Sequence, residues 1–484
     1  MRNHVHLTRT GIVLAPSSDR VLIRPFETYG ETRTTKVIAR VMALSDEDVD
    51  HLLSEVMEEF GERHREIEDF FMRRYEHVKR YMLTDSEPSQ PRKLLIGSYF
   101  TSEYALECAA LFNPSMVPHP DQEGLEEGEL RFIMSLRATG EGHISSITFR
   151  SGVIKPDGLI DIDPASRFVT EPERTSNPEY DKYVFELKLY EMKLYNDFSK
   201  RVLEPLGESF TLKELRTSIA YERARARQDF SSQTVAEGLL MLAESNYGLQ
   251  FDEWQPVSER TIFPSSPSNR NGIEDARFVR FVEDDGQVTY YATFSAFDGK
   301  VVLPELLETS DFLAFKISTL NGPAVQNKGM ALFPRRIGGR YCMVSRQDNE
   351  NIYLMYSDNI HFWHETIPIV RPTYPWEFVQ LGNCGSPIET DQGWLLLSHG
   401  VGSMRKYCIG AFLLDRDDPT KLLGRTKEPL LAPNENEREG YVPNVVYTCG
   451  AIAHNDNLVI PYAMSDYASS IAVMPIDALL SRLD

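Results

Sequence analysis

The chain is short of positive charge: 51 Lys and Arg face 72 Asp and Glu over 484 residues, a formal net charge of −21. A field of that sign repels polyanions, so no nucleic-acid partner is expected, and any anion site has to be a local cluster of cations. Long apolar runs are also missing. No stretch reaches the roughly 20 residues a membrane helix needs, and the opening "MRNHVHLTRTGIVLAP" lacks the apolar segment of a signal peptide. The expectation is a cytoplasmic protein without membrane contact. Five cysteines (Cys108, Cys342, Cys384, Cys408, Cys449) are scattered, odd in number and free of CxxC spacing. That excludes a disulfide or zinc framework and points to reduced thiols. GxSxG, GxxxxGK[ST], HExxH and a Rossmann glycine fingerprint after a strand are all absent. The pairs His4/His6 and His361/His364 have ligand-like spacing, but isolated pairs of this kind are ordinarily plain side chains, so no metal is expected.

Apolar content of 42% supports a substantial core. Residues 45–84 open with an N-cap signal at Ser45 followed by acids. Leu53, Val56, Met57, Phe60, Ile67, Phe71, Tyr75 and Val78 then recur at helical spacing, which predicts one long amphipathic helix. A second helical block starts near Asn177–Pro178 and runs to about 240. Its stripe is Tyr183, Leu187, Tyr190, Leu194 and Phe198, with a break at Gly207. From about 95 onward, outside that block, short runs rich in Tyr, Phe, Val and Ile alternate with Gly, Asp, Asn and Pro turns. "RFIMSLRA", "VTYYATFSAFDG", "NIYLMYSD" and "GWLLLSHG" are examples. This texture predicts an all-β sandwich, barrel or propeller. A shared skeleton in Ser245–Trp254 and Ser357–Trp363 favours the propeller. The expected division is an N-terminal segment, 1–94, and a β domain, 95–484, with a helical insertion at about 178–240.

Polar residues lodged in strand-like or tight-turn surroundings recur along this β region. They are Asn113 in "LFNPS", Arg137 in "SLRATGEGHISS", Glu274, Asp275 and Arg277 in "GIEDAR", Lys328 in "NKGMALFPRR", Arg346 in "VSRQD", His399 in "LSHGVG" and Asp466 in "AMSDY". Each alone reads as a turn or surface residue. Together they recur about once per strand cluster, as when a propeller builds a site at its axis.

The segments "GIEDAR", "LFPRRIGGRYCMVSR", "SHGVG", "YCIGAFLLDRDDPTKLLGRTKEPLLAP" and "GYVPNVVYTCGAI" resemble, in order, the β-mannoside phosphorylases and β-1,2-mannosidases of glycoside hydrolase family 130. The resemblance spans about 110 to 470, interrupted by the helical block. It implies a five-bladed β-propeller with a central active site, here carrying added α-helical N-terminal and inserted segments. It also implies inverting cleavage of a β-mannoside. Asp275 falls on the family's catalytic acid in a G-x-E-D-P-R motif, with Ala276 in place of the proline. In many members that acid delivers its proton through a mannose hydroxyl. Arg137, Lys328, Arg346 and His399 fall on phosphate-binding positions, and Asn113, Ser146, Arg277 and Asp466 on substrate-binding ones.

An inverting hydrolase needs a second carboxylate to activate water on the face opposite the acid. A phosphorylase needs instead cations and donors that hold an anionic nucleophile in line. The basic set therefore favours phosphorolysis, with inorganic phosphate as co-substrate, no cofactor, and α-mannose 1-phosphate as product, the substrate being a β-1,2-mannooligosaccharide. Glu389 and Glu439 keep a β-1,2-mannosidase as the alternative, and a non-catalytic carbohydrate-binding propeller is a third reading. Glu274 is expected to pair with Arg277 or a neighbouring arginine and order its loop. The helical additions are expected to join subunits into a homo-oligomer, or else to wall the acceptor side of the pocket.

Overall fold

The computed structural model describes residues 7–28, 30–176, 179–225, 230–297, 299 and 302–483. His4, His6 and the Asn177–Pro178 start of the second helical block lie outside these residues. The described chain is mostly β, with helices confined to an N-terminal group and one insertion. Five antiparallel sheets of four to six strands carry the β region, together with two two-stranded ribbons. No sheet closes on itself among the described residues.

The sheets follow one another along the chain, and each is led by the strand nearest the site. In three of them that strand is also the first in sequence. The leading strands are Ala110–Pro118, Ile273–Val282, Ala331–Leu332, Gln380–Asn383 and Val446–Tyr447. The last sheet is completed from the other end of the chain: Thr8–Leu14 pairs antiparallel with Ala468–Pro475. Beside it, Ser17–Pro25 pairs with Thr101–Glu107. Residues at the start of the chain are therefore stitched to the β region by backbone hydrogen bonds. Strand interiors are almost wholly buried, as in Gly393–Val401 and Tyr341–Ser345, so these segments read as continuous apolar runs rather than alternating ones. All five cysteines are unpaired, and four of them are buried.

The long helix expected over 45–84 is two helices, Asp46–Phe60 and Ile67–Val78. Ser45 does cap the first, its hydroxyl accepting from the Asp48 amide at 3.1 Å. The break falls on a polar stretch, "GERHRE", that begins with Gly61 and ends with Glu66 in a left-handed conformation (φ 52°). A like set of apolar positions serves both helices, so hydrophobic spacing alone could not reveal the interruption. Two further N-terminal helices, Glu31–Met42 and Gln90–Ser98, pack with them.

The insertion comprises Lys182–Glu191, Asp197–Leu203, Leu212–Arg225 and Phe230–Glu244, with its own core around Leu189, Val202, Leu215 and Leu239. The expected stripe is corrected here. Tyr183 and Tyr190 are exposed, while Phe185 and Leu189 face inward with Phe198. The helix ends at Glu191, so no single register spans 183–198. The Ser245–Trp254 and Ser357–Trp363 segments are not equivalent either. The first leads into a strand and leaves Trp254 exposed; the second leaves a strand and buries Trp363.

Candidate active site

Two of the leading strands carry a bulge at the residue that matters. Pairing of Ile273–Val282 with its neighbour shifts register between Glu274 and Arg277. Pairing of Ala110–Pro118 shifts between Phe112 and Ser115. Inside these gaps Asp275 (φ 55°) and Asn113 (φ 50°) adopt the left-handed conformation, and Asp466 (φ 50°) does so in a hairpin turn. Asn and Asp tolerate this region best among residues with a side chain. A bulge re-aims a side chain that would otherwise follow the strand's alternation. The same residue types thus supply both the backbone geometry and the chemistry.

Asn113, Arg137, Asp275, Lys328, Arg346 and Asp466 line one cavity of about 340 Å³, and all five sheets or their connections contribute to its wall. Asn113 Nδ2 donates to Asp275 Oδ1 at 2.6 Å. Arg137 is held on three sides: Nε donates to Ser145 Oγ at 2.9 Å, Nη2 to Glu274 Oε1 at 2.9 Å, and Nη1 lies 3.4 Å from Asp275 Oδ1. Lys328 Nζ lies 3.3 Å from Glu274 Oε2. Glu274 accordingly pairs with Arg137 and Lys328, and not with Arg277.

Arg277 does not line the cavity. It is 1% exposed and sits behind Asp275. Its Nε donates to the Cys384 carbonyl, Nη1 to the carbonyl of Asp275 and Nη2 to the Tyr447 hydroxyl. Its part is to fix the bulge. Ser146 does not reach the cavity either. Ser145, its neighbour on the strand, faces Arg137, so alternation turns Ser146 away, and its buried hydroxyl has no hydrogen-bond partner.

His399 is also displaced from its expected role. It is fully buried, with Nε2 3.0 Å from Arg346 Nη1. A guanidinium only donates, so this nitrogen must present a lone pair. Burial, with Arg346 and Arg277 close by, holds its pKa well below the ordinary histidine value. The ring is neutral and supports Arg346 from behind, stacked on Tyr407 and edge-on to Tyr447. Arg346 runs through a channel that only glycine leaves open. A Cβ on Gly329 would sit 2.6 Å from its Nε, and one on Gly382 2.9 Å from its Cδ.

The two carboxyls facing the cavity are driven apart. Burial pushes Asp275 up, but Arg137, Arg277, Lys328 and the Asn113 amide outweigh it and hold the carboxyl well below the usual range. Burial and the nearby Asp275 charge push Asp466 up to about 6. Divergent carboxyls in one site mark a separation of roles.

Glu389 pairs with Arg335 and Arg416 away from the cavity, and Glu439 is exposed. His361 is held by Ser318 and Glu308. No residue of the helical segments is among those lining the cavity. Sequence reasoning missed Asn349, Gln380, Arg405, Tyr407 and Tyr447 in the cavity wall. Tyr407 and Tyr447 belong to segments that carry the family resemblance, but nothing in their spacing separates wall from core. Asn349 and Arg405 share the left-handed backbone of the other site residues.

A profile of the glycoside hydrolase 130 family, described as beta-1,4-mannooligosaccharide phosphorylase, matches residues 219–484. The chain is 35% identical over 211 residues to a 1,2-beta-oligomannan phosphorylase of Thermoanaerobacter, covering 42% of this chain and 68% of that one. It is 29% identical over 371 residues to a beta-1,2-mannobiose phosphorylase of Listeria innocua, covering 74% of this chain and 97% of that one. A solved structure of the beta-1,2-mannobiose phosphorylase from Listeria innocua aligns with a TM-score of 0.46 at 23% identity, over 78% of this chain and 93% of that one. With the profile spanning more than half of its length, the chain belongs to glycoside hydrolase family 130.

Proposed function

We propose that the chain is an inverting β-mannoside phosphorylase. It would cleave a non-reducing-end β-1,2-mannosyl linkage with inorganic phosphate to give α-mannose 1-phosphate. Phosphate attacks the anomeric carbon as the glycosidic C–O bond breaks, and Asp275 supplies the proton that the leaving oxygen takes up. Arg137, Lys328 and Arg346 hold the phosphate, while Asn113 and Asp466 meet the mannose hydroxyls. His399 and Arg277 act indirectly, through Arg346 and the Asp275 bulge.

One observation carries this reading: the acid lies in a field of cations that keeps it ionised. A general acid must hold a proton at the moment of reaction. Phosphate provides the missing condition, because its negative charge occupies Arg137 and Lys328 and releases Asp275 to be protonated. Water cannot do this. The names of the relatives point the same way; of the glutamates considered for hydrolysis, Glu389 is paired with Arg335 and Arg416 and Glu439 is exposed outside the cavity lining.

We further read the five sheets as the blades of a five-bladed propeller, supported by each sheet sending residues to one cavity. Exposed Leu83, Tyr183, Tyr190 and Tyr221 on the helical segments favour their use as subunit contacts in a homo-oligomer. The test of function is incubation with β-1,2-mannobiose, with and without phosphate. Phosphate-dependent mannose 1-phosphate supports the proposal, phosphate-independent mannose supports the hydrolase, and no turnover supports a binding protein.

A further inference from the structure

An anion beside a phosphate site weakens the attraction it is meant to create, yet Glu274 points a carboxylate at two of the four cations in the cavity wall, Arg137 and Lys328. Its geometry explains why. Oε1 takes Arg137 Nη2 at 2.9 Å and Oε2 faces Lys328 Nζ at 3.3 Å. One carboxylate therefore bridges a cation from the sheet of Asn113 and another from the connection leading into the sheet of Arg346. It does so from the bulge of a third sheet. Without it, two like charges on long flexible stems would share a half-buried cavity and move apart. Arg137 also divides its donors: Nη2 lies on Glu274, while Nη1 faces Asp275 at the longer distance of 3.4 Å.

We propose that Glu274 is a positioning residue for the phosphate. It holds Arg137 and Lys328 at a fixed spacing and keeps its hold when phosphate draws Arg137 Nη1 away from Asp275. The proton donor and the cation clamp are thereby separate carboxylates on adjacent residues: Asp275 lets go of Arg137 and Glu274 does not. This inference rests on the phosphorolysis reading.

The test is steady-state phosphorolysis of β-1,2-mannobiose by the full chain and its Glu274→Gln and Glu274→Asp variants. Loss of one charge-assisted contact predicts a rise of ~10-fold or more in KM for phosphate in Glu274→Gln. KM for mannobiose should stay unchanged, and Glu274→Asp should recover part of the loss. Inhibition by sulfate, measured as a competitor of phosphate, should weaken in parallel. If Glu274→Gln fails to fold, Glu274→Asp with the same split between the two KM values still decides the matter. An unchanged phosphate KM, or equal rises in both KM values, overturns the inference while leaving phosphorolysis in place. A wild-type enzyme that turns over without phosphate instead overturns the reading beneath it.

Discussion

Replacing Gly382 with alanine tests the path of Arg346 through the wall of the site. Gly382 lies opposite His399 in the pairing of Gln380–Asn383 with Gly393–Val401. A Cβ there would stand 2.5 Å from His399 Cε1 and 2.9 Å from both His399 Nε2 and Arg346 Cδ. Heavy atoms of this kind rest at roughly 3.5–4.0 Å, so one side chain must yield by about an ångström. His399 is fully buried against two tyrosine rings, so the 2.5 Å contact presses its ring into them. Arg346 borders the cavity and yields from its own 2.9 Å contact, so the 3.0 Å bond between the two side chains is lost. A hydrogen bond to a charged group contributes about 1.5–3 kcal/mol, and losing the placement it enforces raises KM for phosphate by about 10- to 150-fold. Overpacking adds about 1–3 kcal/mol of destabilisation. The assay is phosphorolysis with phosphate and mannobiose varied separately, beside a thermal melt of the same variant. A variant whose phosphate KM and melting temperature both match the wild type would refute this account of how Arg346 is held.

Asp275→Asn is expected to lower kcat by ~10²–10⁴-fold, the usual worth of a general acid, with the fold retained; measuring kcat beside a circular dichroism spectrum checks both. The two cavity carboxyls should act oppositely on stability as pH changes. Asp466 is raised to about 6, so its contribution is full below the ordinary aspartate range and fades as pH rises through about 6. Asp466→Asn should therefore melt higher than wild type at pH 8, with the difference shrinking toward pH 4. Asp275 is depressed, so its contribution is present above the ordinary range and fades as pH falls below it. Asp275→Asn should melt lower than wild type at neutral pH, with the gap closing in acid. Deleting residues 1–14 removes the strand paired with Ala468–Pro475 and exposes that strand's edge; the melting temperature should fall and the variant should aggregate on scattering measurements.

Chemistry in this chain was easier to read than geometry. Asp275, Asn113, Arg137, Lys328, Arg346 and Asp466 stood out because polar and charged residues interrupt apolar strands, and the structure brings these six to one cavity. The same signal picked out Arg277 and His399, which lie behind the cavity wall, and the resemblance added Ser146, which is turned away from it. A strand residue one position from a site residue points the opposite way, and a polar residue can serve a site from behind its wall. No pattern along the chain distinguishes a guanidinium that meets a ligand from one that braces a bulge.

Composition and the apolar pattern alone determined an acidic, mostly β chain with two helical additions, and the motifs alone determined its family. These properties depend on residue type and short spacing, which a linear chain displays directly. Only the tertiary structure decided the break at Gly61–Glu66, the return of Thr8–Leu14 to the last sheet, the neutral state of His399 and the pairing of Glu274 with Arg137 and Lys328. Each depends on which residues, far apart in the chain, are packed within a few ångströms. Contact, burial and charge at that range set hydrogen bonds and protonation states, and sequence spacing does not encode them.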